Sequence, residues 1–570
     1  MPVTANEKND TEHPEHPERP AGSPGRMSRR LPPWAIVWGV PIAVVLGVLL
    51  IRNAFLFSTP EYEDADMGAN SILIEQARRF TLLVGNYSRE GFNHPGPAFL
   101  YVQSWGESLF YDVFHVVPTP WNGQIIAVYV LNALFAASVV AIGYGWTKSV
   151  RGAAVTLAAA LLFAVLHPSM FSSDWMPYVY MPAYFAFVVA IASVAAGRTQ
   201  DSWIAALSGW FLINGHACFL FIVPVLVGGA LAFLLWQRIS ASDASDASEG
   251  ERGTRRLRLR FRLPRPRRRV WVPVAVISAV LAFPMIVELA LHWPGNFGKY
   301  FGYSSSSRSG GHGARQVVLY ALWFWWPHAH AWAVAVLLVA VAAVGVWRLP
   351  GGPLRRFCLS LLAADALSTA VFVAYAAVGI DALNDYYIGY FYWSAPVIAI
   401  LVIALSATEL LSSAKPRWRL GPRAGTGVAG IVAVTVAVAA CAAFAVAPQT
   451  RLSTDHVDPA IPSSGPPTDP SIPAAVTAMA RVAAGRPVII RFDHNAWPTI
   501  TGILVQAERT GVTACVPLQS WAFMMTSQFI CTPEQRANGR GFYVYLPGQV
   551  RRGVAVVARL RRGIVTAGGK

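Results

Sequence analysis

Four carboxylates crowd into six residues at Glu61-Tyr62-Glu63-Asp64-Ala65-Asp66. Downstream, short polar stretches interrupt an otherwise apolar chain. They include Gly91-Phe92-Asn93-His94-Pro95-Gly96-Pro97, Ser172-Ser173-Asp174-Trp175 and Asn214-Gly215-His216. A longer one runs from Glu288 through Pro294-Gly295-Asn296 and Lys299 to Arg308 and Arg315, and a last one holds Asp381 and Asp385. Acids, histidines and cations of these types form a chemical set if one place gathers them. A carboxylate can take the proton of a hydroxyl acceptor. Cations can hold a phosphate leaving group, here one carried by a lipid.

The elements that would position this set are membrane helices. The chain has 570 residues, 54% hydrophobic and only 13% charged, against about 25% charged in a soluble domain. Crossing ~30 Å of hydrocarbon takes ~20 helical residues. Apolar runs near that length occur at 34–51, 123–146, 152–167, 178–197, 202–214, 218–236, 271–289, 328–347, 357–379, 389–408 and 427–447. Eleven spans are therefore expected. With the N-terminus inside, the inner segments hold 26 Lys and Arg and the outer loops between spans hold 7. That bias sets the orientation. It places the polar stretches outside, together with everything after Ala447. The protein is expected in the plasma membrane with its C-terminal domain extracytoplasmic.

The net charge of +16 then needs no nucleic acid. The arginine run 255–269 sits in the cytoplasmic loop 237–270 and faces anionic lipid headgroups. Residues 1–33 read as a disordered cytoplasmic tail. The membrane domain covers 34–447 with a long first outer loop, 52–122; a Pro/Ser-rich linker covers 448–474. Residues 475–570 read as a small α/β domain: strands at 487–492, 512–516 and 541–546, and a helix at 497–510 closed by Gly511. Asp493, His494 and Asn495 follow the first strand, where functional loops of α/β domains sit. Cys515 and Cys531 alone among five cysteines lie outside the spans. An oxidising exterior predicts a disulfide between them. Asp365 within a span and Glu288 at a span end are the main intramembrane acids. That is sparse for an ion-coupled transporter.

An acidic D-x-D opening the first outer loop, an interfacial helix, and then a His/Lys-Pro step into an aromatic helix resemble the GT-C glycosyltransferases. Asp64-Ala65-Asp66 and His94-Pro95-Gly96-Pro97 carry the resemblance, supported by Pro284, Glu288 and Pro294-Gly295-Asn296. The aminoarabinose, O-mannosyl and arabinosyl transferases of cell envelopes belong to that superfamily. The resemblance implies inverting transfer of a sugar from a polyprenyl-phosphate donor to an envelope glycan, lipid or protein. Asp66 or Asp64 would be the base. Asp66 and Asp174 are the candidate ligands of a divalent cation. His94, Asp174, His216, Glu288, Lys299, Arg308 and Arg315 would bind substrate. Many relatives have Asp-Glu where this chain has Asp66-Met67, so the acting carboxylate stays open. A non-catalytic envelope-assembly or sensor protein and a transporter are the competing readings.

Overall fold

The computed structural model describes residues 33–248, 268–306, 311–413, 435–446, 468–550 and 553–568. The expected tail up to residue 32, most of the arginine-rich loop, Arg308 and the linker up to residue 467 lie outside them. The described part is a bundle of apolar helices with a small α/β domain docked on one end.

Eight described helical segments are long and apolar enough to cross a membrane: Ala35–Arg52, Pro120–Thr147, Met176–Ala195, Phe219–Gln237, Arg268–Leu291, Ala331–Arg348, Pro353–Val378 and Tyr386–Ser413. Each matches one of the eleven expected spans. The other three fall on shorter helices, Val150–Leu166, Ser202–Gly215 and Thr435–Val446. Fourteen residues at 1.5 Å each reach only about 21 Å. Ser202–Gly215 thus falls short of a full crossing as a straight helix. Met176–Ala195 is buried along its whole length at the centre of the bundle, whereas Arg268–Leu291 leaves most of its apolar surface exposed. Such a face suits lipid and not water. This is the architecture of a multi-pass membrane protein.

Residues 52–122 do not form a loose loop. The helix Ala65–Arg78 and the helix Ala98–Gly106, which continues as a wider turn over Glu107–Val113, pack on the bundle end. Their polar residues are buried: Glu63, Asp64, Glu75, Gln103 and Glu107 are each at most 6% exposed.

The C-terminal domain carries a five-stranded sheet. Its strands are β1 Val488–Phe492, β2 Ala514–Cys515, β3 Arg540–Tyr545, β4 Val556–Leu560 and β5 Gly563–Ala567. Their order is β2-β1-β3-β5-β4. β1 runs parallel to β2 and β3, and β5 runs antiparallel to β3 and β4. The β4–β5 hairpin and the helix Ile472–Ala483 add to the elements expected from the sequence. The helix Trp497–Arg509 buries one face on the sheet, through Ile500, Ile503 and Leu504. It also meets Ala65–Arg78. A Cβ on Gly68 would lie 2.6 Å from Thr501 Oγ1, and one on Gly502 would lie 2.5 Å from the Glu63 carbonyl oxygen. Backbones approach this closely only where both residues lack side chains. Thr501 adds a hydrogen bond to the Ala65 carbonyl at 2.9 Å.

Candidate functional site

The acid run divides at Ala65, whose φ is +52°. A left-handed residue without glycine's freedom costs about 1–2 kcal/mol, and such strain gathers where surrounding packing fixes a geometry. The turn sends neighbouring carboxylates apart. Glu63 and Asp64 face the C-terminal domain, and Asp66 faces a cavity.

Arg509, at the end of its helix, is the partner of the first group. It lies 2.8 Å from Glu63, 3.0 Å from Glu75 and 3.6 Å from Glu107. Arg78 meets Glu107 at 2.5 Å and Asp112 at 2.7 Å. Asp64 pairs with Arg562 at 3.4 Å. Burial pushes the Asp64 carboxyl up to about 7, with Arg562 pulling the other way. Asp64 therefore belongs to domain docking and does not line the cavity.

The cavity measures about 780 Å³. Asp66 lines it from the first turn of its helix, at the positive end of the helix dipole. Tyr87 donates its hydroxyl to one Asp66 oxygen, and Trp175 Nε1 donates to the other at 2.8 Å. Both donors fix the carboxylate's direction. Arg89 also lines the cavity and binds Asp381 and Asp385 at 2.6 Å each, tying the first loop to the last.

His94 and His216 line another part, with ring centroids 4.2 Å apart. Burial depresses both, His94 well below the usual imidazole range with His216 adding to the effect, and His216 to about 4. The Ala217 N–H donates to His94 Nδ1 at 3.3 Å, and the Cys218 N–H donates to His216 Nδ1 at 3.2 Å. A neutral ring whose Nδ1 accepts carries its proton on Nε2. Among the described residues neither Nε2 has a hydrogen-bond partner, so each is available as a neutral donor. The glycine of His94-Pro95-Gly96-Pro97 is required here: a Cβ on Gly96 would lie 2.1 Å from Asn214 Oδ1.

The remaining expected residues stand elsewhere. Asp174 is buried behind Trp175, accepting from Trp121 Nε1 at 2.8 Å and Gln103 Nε2 at 3.1 Å. Glu288 receives Asn296 Nδ2 at 3.5 Å, and Asn296 in turn accepts the Asn93 N–H at 3.2 Å. Glu288 thus braces the loop that carries His94. Lys299 is exposed and donates to the Gly91 carbonyl at 3.3 Å; Arg315 is exposed on Ala314–Trp323. Neither lines the cavity. Of the expected cation ligands, Asp66 lines the cavity and accepts one donor on each oxygen, whereas Asp174 lies behind Trp175, outside the cavity lining. No group of three or more His, Cys, Asp or Glu suited to a metal ion occurs among the described residues.

Sequence reading passed over the cavity roles of Tyr87, Trp175 and Arg89. An arginine in the first loop beside an acid pair in the last was a usable signal for Arg89. The hydrogen bonds to Asp66 had none, because they depend on the turn at Ala65. The C-terminal domain also lines the cavity, through His494, Trp497, Trp521 and Phe523. Cys515 and Cys531 are joined by a disulfide, with Cα atoms 5.0 Å apart.

Burial pushes the Asp174 carboxyl up to about 7, with Trp121 and Gln103 opposing. A carboxyl raised in the folded state stabilises below its unfolded pKa of about 3.9 and loses that contribution as pH rises through about 7. That rise corresponds to a ceiling of about 4 kcal/mol. Asp174→Asn keeps an acceptor for Trp121 and Gln103 and removes the titration. Thermal unfolding should show the variant gaining over wild type at pH 8 by more than at pH 5. An equal difference at both pH values contradicts the assignment.

No family model and no curated protein matches this sequence. Solved structures do. The crystal structure of ArnT from Cupriavidus metallidurans bound to undecaprenyl phosphate aligns with a TM-score of 0.51 at 13% identity, covering 94% of this chain and 100% of that one. The apo state of the same protein aligns with a TM-score of 0.51 at 12% identity, covering 93% and 99%. ArnT is a GT-C superfamily membrane glycosyltransferase. This chain shares the fold of those ArnT structures over nearly its whole length.

Proposed function

We propose that this chain is a membrane glycosyltransferase that moves a sugar from a polyprenyl-phosphate donor to a cell-envelope acceptor. The observation that carries the reading is Asp66, oriented by Tyr87 and Trp175 toward a large cavity in a GT-C fold. The acceptor oxygen forms a bond to the anomeric carbon as the bond from that carbon to the phosphate oxygen breaks. The electron pair leaves with the polyprenyl phosphate, and the acceptor proton passes to Asp66. Attack from the side opposite the leaving group inverts the anomeric centre. The Nε2–H groups of His94 and His216 supply donors to phosphate oxygens without requiring a charge. An undecaprenyl phosphate bound to ArnT supports a lipid phosphate as ligand here. In this reading the N-terminus and the arginine-rich loop are cytoplasmic, and the cavity and C-terminal domain are extracytoplasmic.

The test uses the full chain in lipid nanodiscs. Native mass spectrometry should show undecaprenyl phosphate bound one to one. Wild type should also release polyprenyl phosphate from radiolabelled polyprenyl-phosphate sugars when membrane extract supplies acceptor. Binding without any release across mannosyl, arabinosyl and glucosyl donors would favour a lipid-binding assembly protein. Absence of both would overturn the proposal.

A further inference from the structure

One wall of the cavity comes from a single stretch of the C-terminal domain. Cys515 and Cys531 close residues 516–530 into a loop, and Ser520, Trp521, Phe523 and Met524 on that loop line the cavity. The rings form a layered platform: Phe523 is half-buried, and Trp521, 8% exposed, packs behind it in the domain core. Trp521 and Phe523 stack at 6.3 Å with 18° between planes, and His494 lies 5.1 Å from Trp521. Phe523 meets Tyr87 edge-on at 6.1 Å, and Tyr87 is the residue that holds Asp66. The platform therefore begins one side chain away from the proposed base.

Its chemistry is selective. Among the described residues, no Lys, Arg, Asp or Glu of the C-terminal domain lines the cavity. An anionic group gains no ion pair from this wall. The Gln519–Trp521 turn and the short helix Ala522–Met525 offer no strand edge to an extended peptide. Aromatic faces carry negative potential and attract the weakly positive C–H face of a sugar ring. The Ser520 hydroxyl and the exposed His494 ring can meet the sugar's hydroxyl edge. Resting on the transferase reading, we infer that the 516–530 loop is the acceptor-side wall and takes a neutral carbohydrate ring against Phe523, with Trp521 backing that ring. The disulfide holds that platform against the membrane domain.

Saturation-transfer NMR on the full chain in nanodiscs tests this with defined probes. These are the methyl glycosides of mannose, glucose, galactofuranose and arabinofuranose, and an acetylated serine-containing peptide. At least one glycoside should receive saturation from wild type, and the peptide none. Trp521→Ala and Phe523→Ala should each weaken that signal about tenfold, with Trp521→Phe retaining most of it. A Cys515→Ala/Cys531→Ala chain should weaken it too. Undecaprenyl phosphate binding, read by native mass spectrometry, should match wild type in all of them and so reports an intact membrane domain, and circular dichroism and thermal unfolding report the C-terminal domain. Silence from every glycoside, a signal from the peptide alone, or full signal in Phe523→Ala overturns the assignment while lipid binding stands. Loss of lipid binding by wild type would instead fail the transferase reading itself.

Discussion

Asp66→Asn is expected to lower sugar transfer by about 10²–10⁴-fold, the usual contribution of a positioned general base. The substitution is close to structurally silent. Trp175 can still donate to the amide oxygen, and the amide N–H can donate to the Tyr87 hydroxyl. Geometry is kept while the proton acceptor is lost. Undecaprenyl phosphate binding should therefore stay within about twofold of wild type, as expected when an interaction used only in the transition state is removed. The loss should fall on kcat, with the Michaelis constant for donor little changed. Asp64→Asn is the matched control, since Asp64 pairs with Arg562 and not with the cavity. If Asp64→Asn abolished transfer and Asp66→Asn did not, the assignment of the base would be reversed. Full activity in both would remove acid-assisted attack from this chain.

The division between Asp64 and Asp66 marks where sequence reading stops. Hydropathy located eight long helices because lipid enforces length and composition on each span separately. The strands β1 and β3 and the helix at Trp497 were legible for a similar local reason, their periodicity. Which of two acids one residue apart meets substrate depends on the left-handed turn at Ala65, and alanine gives no warning of such a turn. Asp174 shows a second limit. An acid beside a tryptophan in a polar loop reads as a site residue, yet its partners Gln103 and Trp121 come from two other helices. The pairing of His94 with His216 is likewise long-range. Each histidine was visible as a candidate; their shared tautomer was not, because backbone N–H groups at Ala217 and Cys218 decide it.

Arg509→Met should destabilise the docking of the C-terminal domain by about 3–5 kcal/mol, the range for breaking a buried ion pair by removing one partner. The physical reason is what remains. Glu63, Glu75 and Glu107 stay buried, and Arg78 reaches only the latter two, at 3.7 and 2.5 Å. Burial already raises Glu107, and Arg509 is the strongest influence opposing it. Its removal raises that carboxyl further. The sign of the pH effect follows. Protons relieve the repulsion among the three acids, so the variant should lie closer to wild type at pH 5 than at pH 8. Thermal unfolding measures the loss, and hydrogen exchange along Ala65–Arg78 localises it to the docking helix. Adding Glu63→Gln and Glu75→Gln should recover part of the stability, because the neutral side chains no longer need the guanidinium. Since Phe523 touches Tyr87 across the same junction, a loosened domain should also lose transfer activity even though Arg509 does not line the cavity. An Arg509→Met chain that melts and exchanges like wild type at pH 8 would mean that the other junction contacts, Asp64–Arg562 and the close Gly68–Thr501 packing among them, hold the domains together without it.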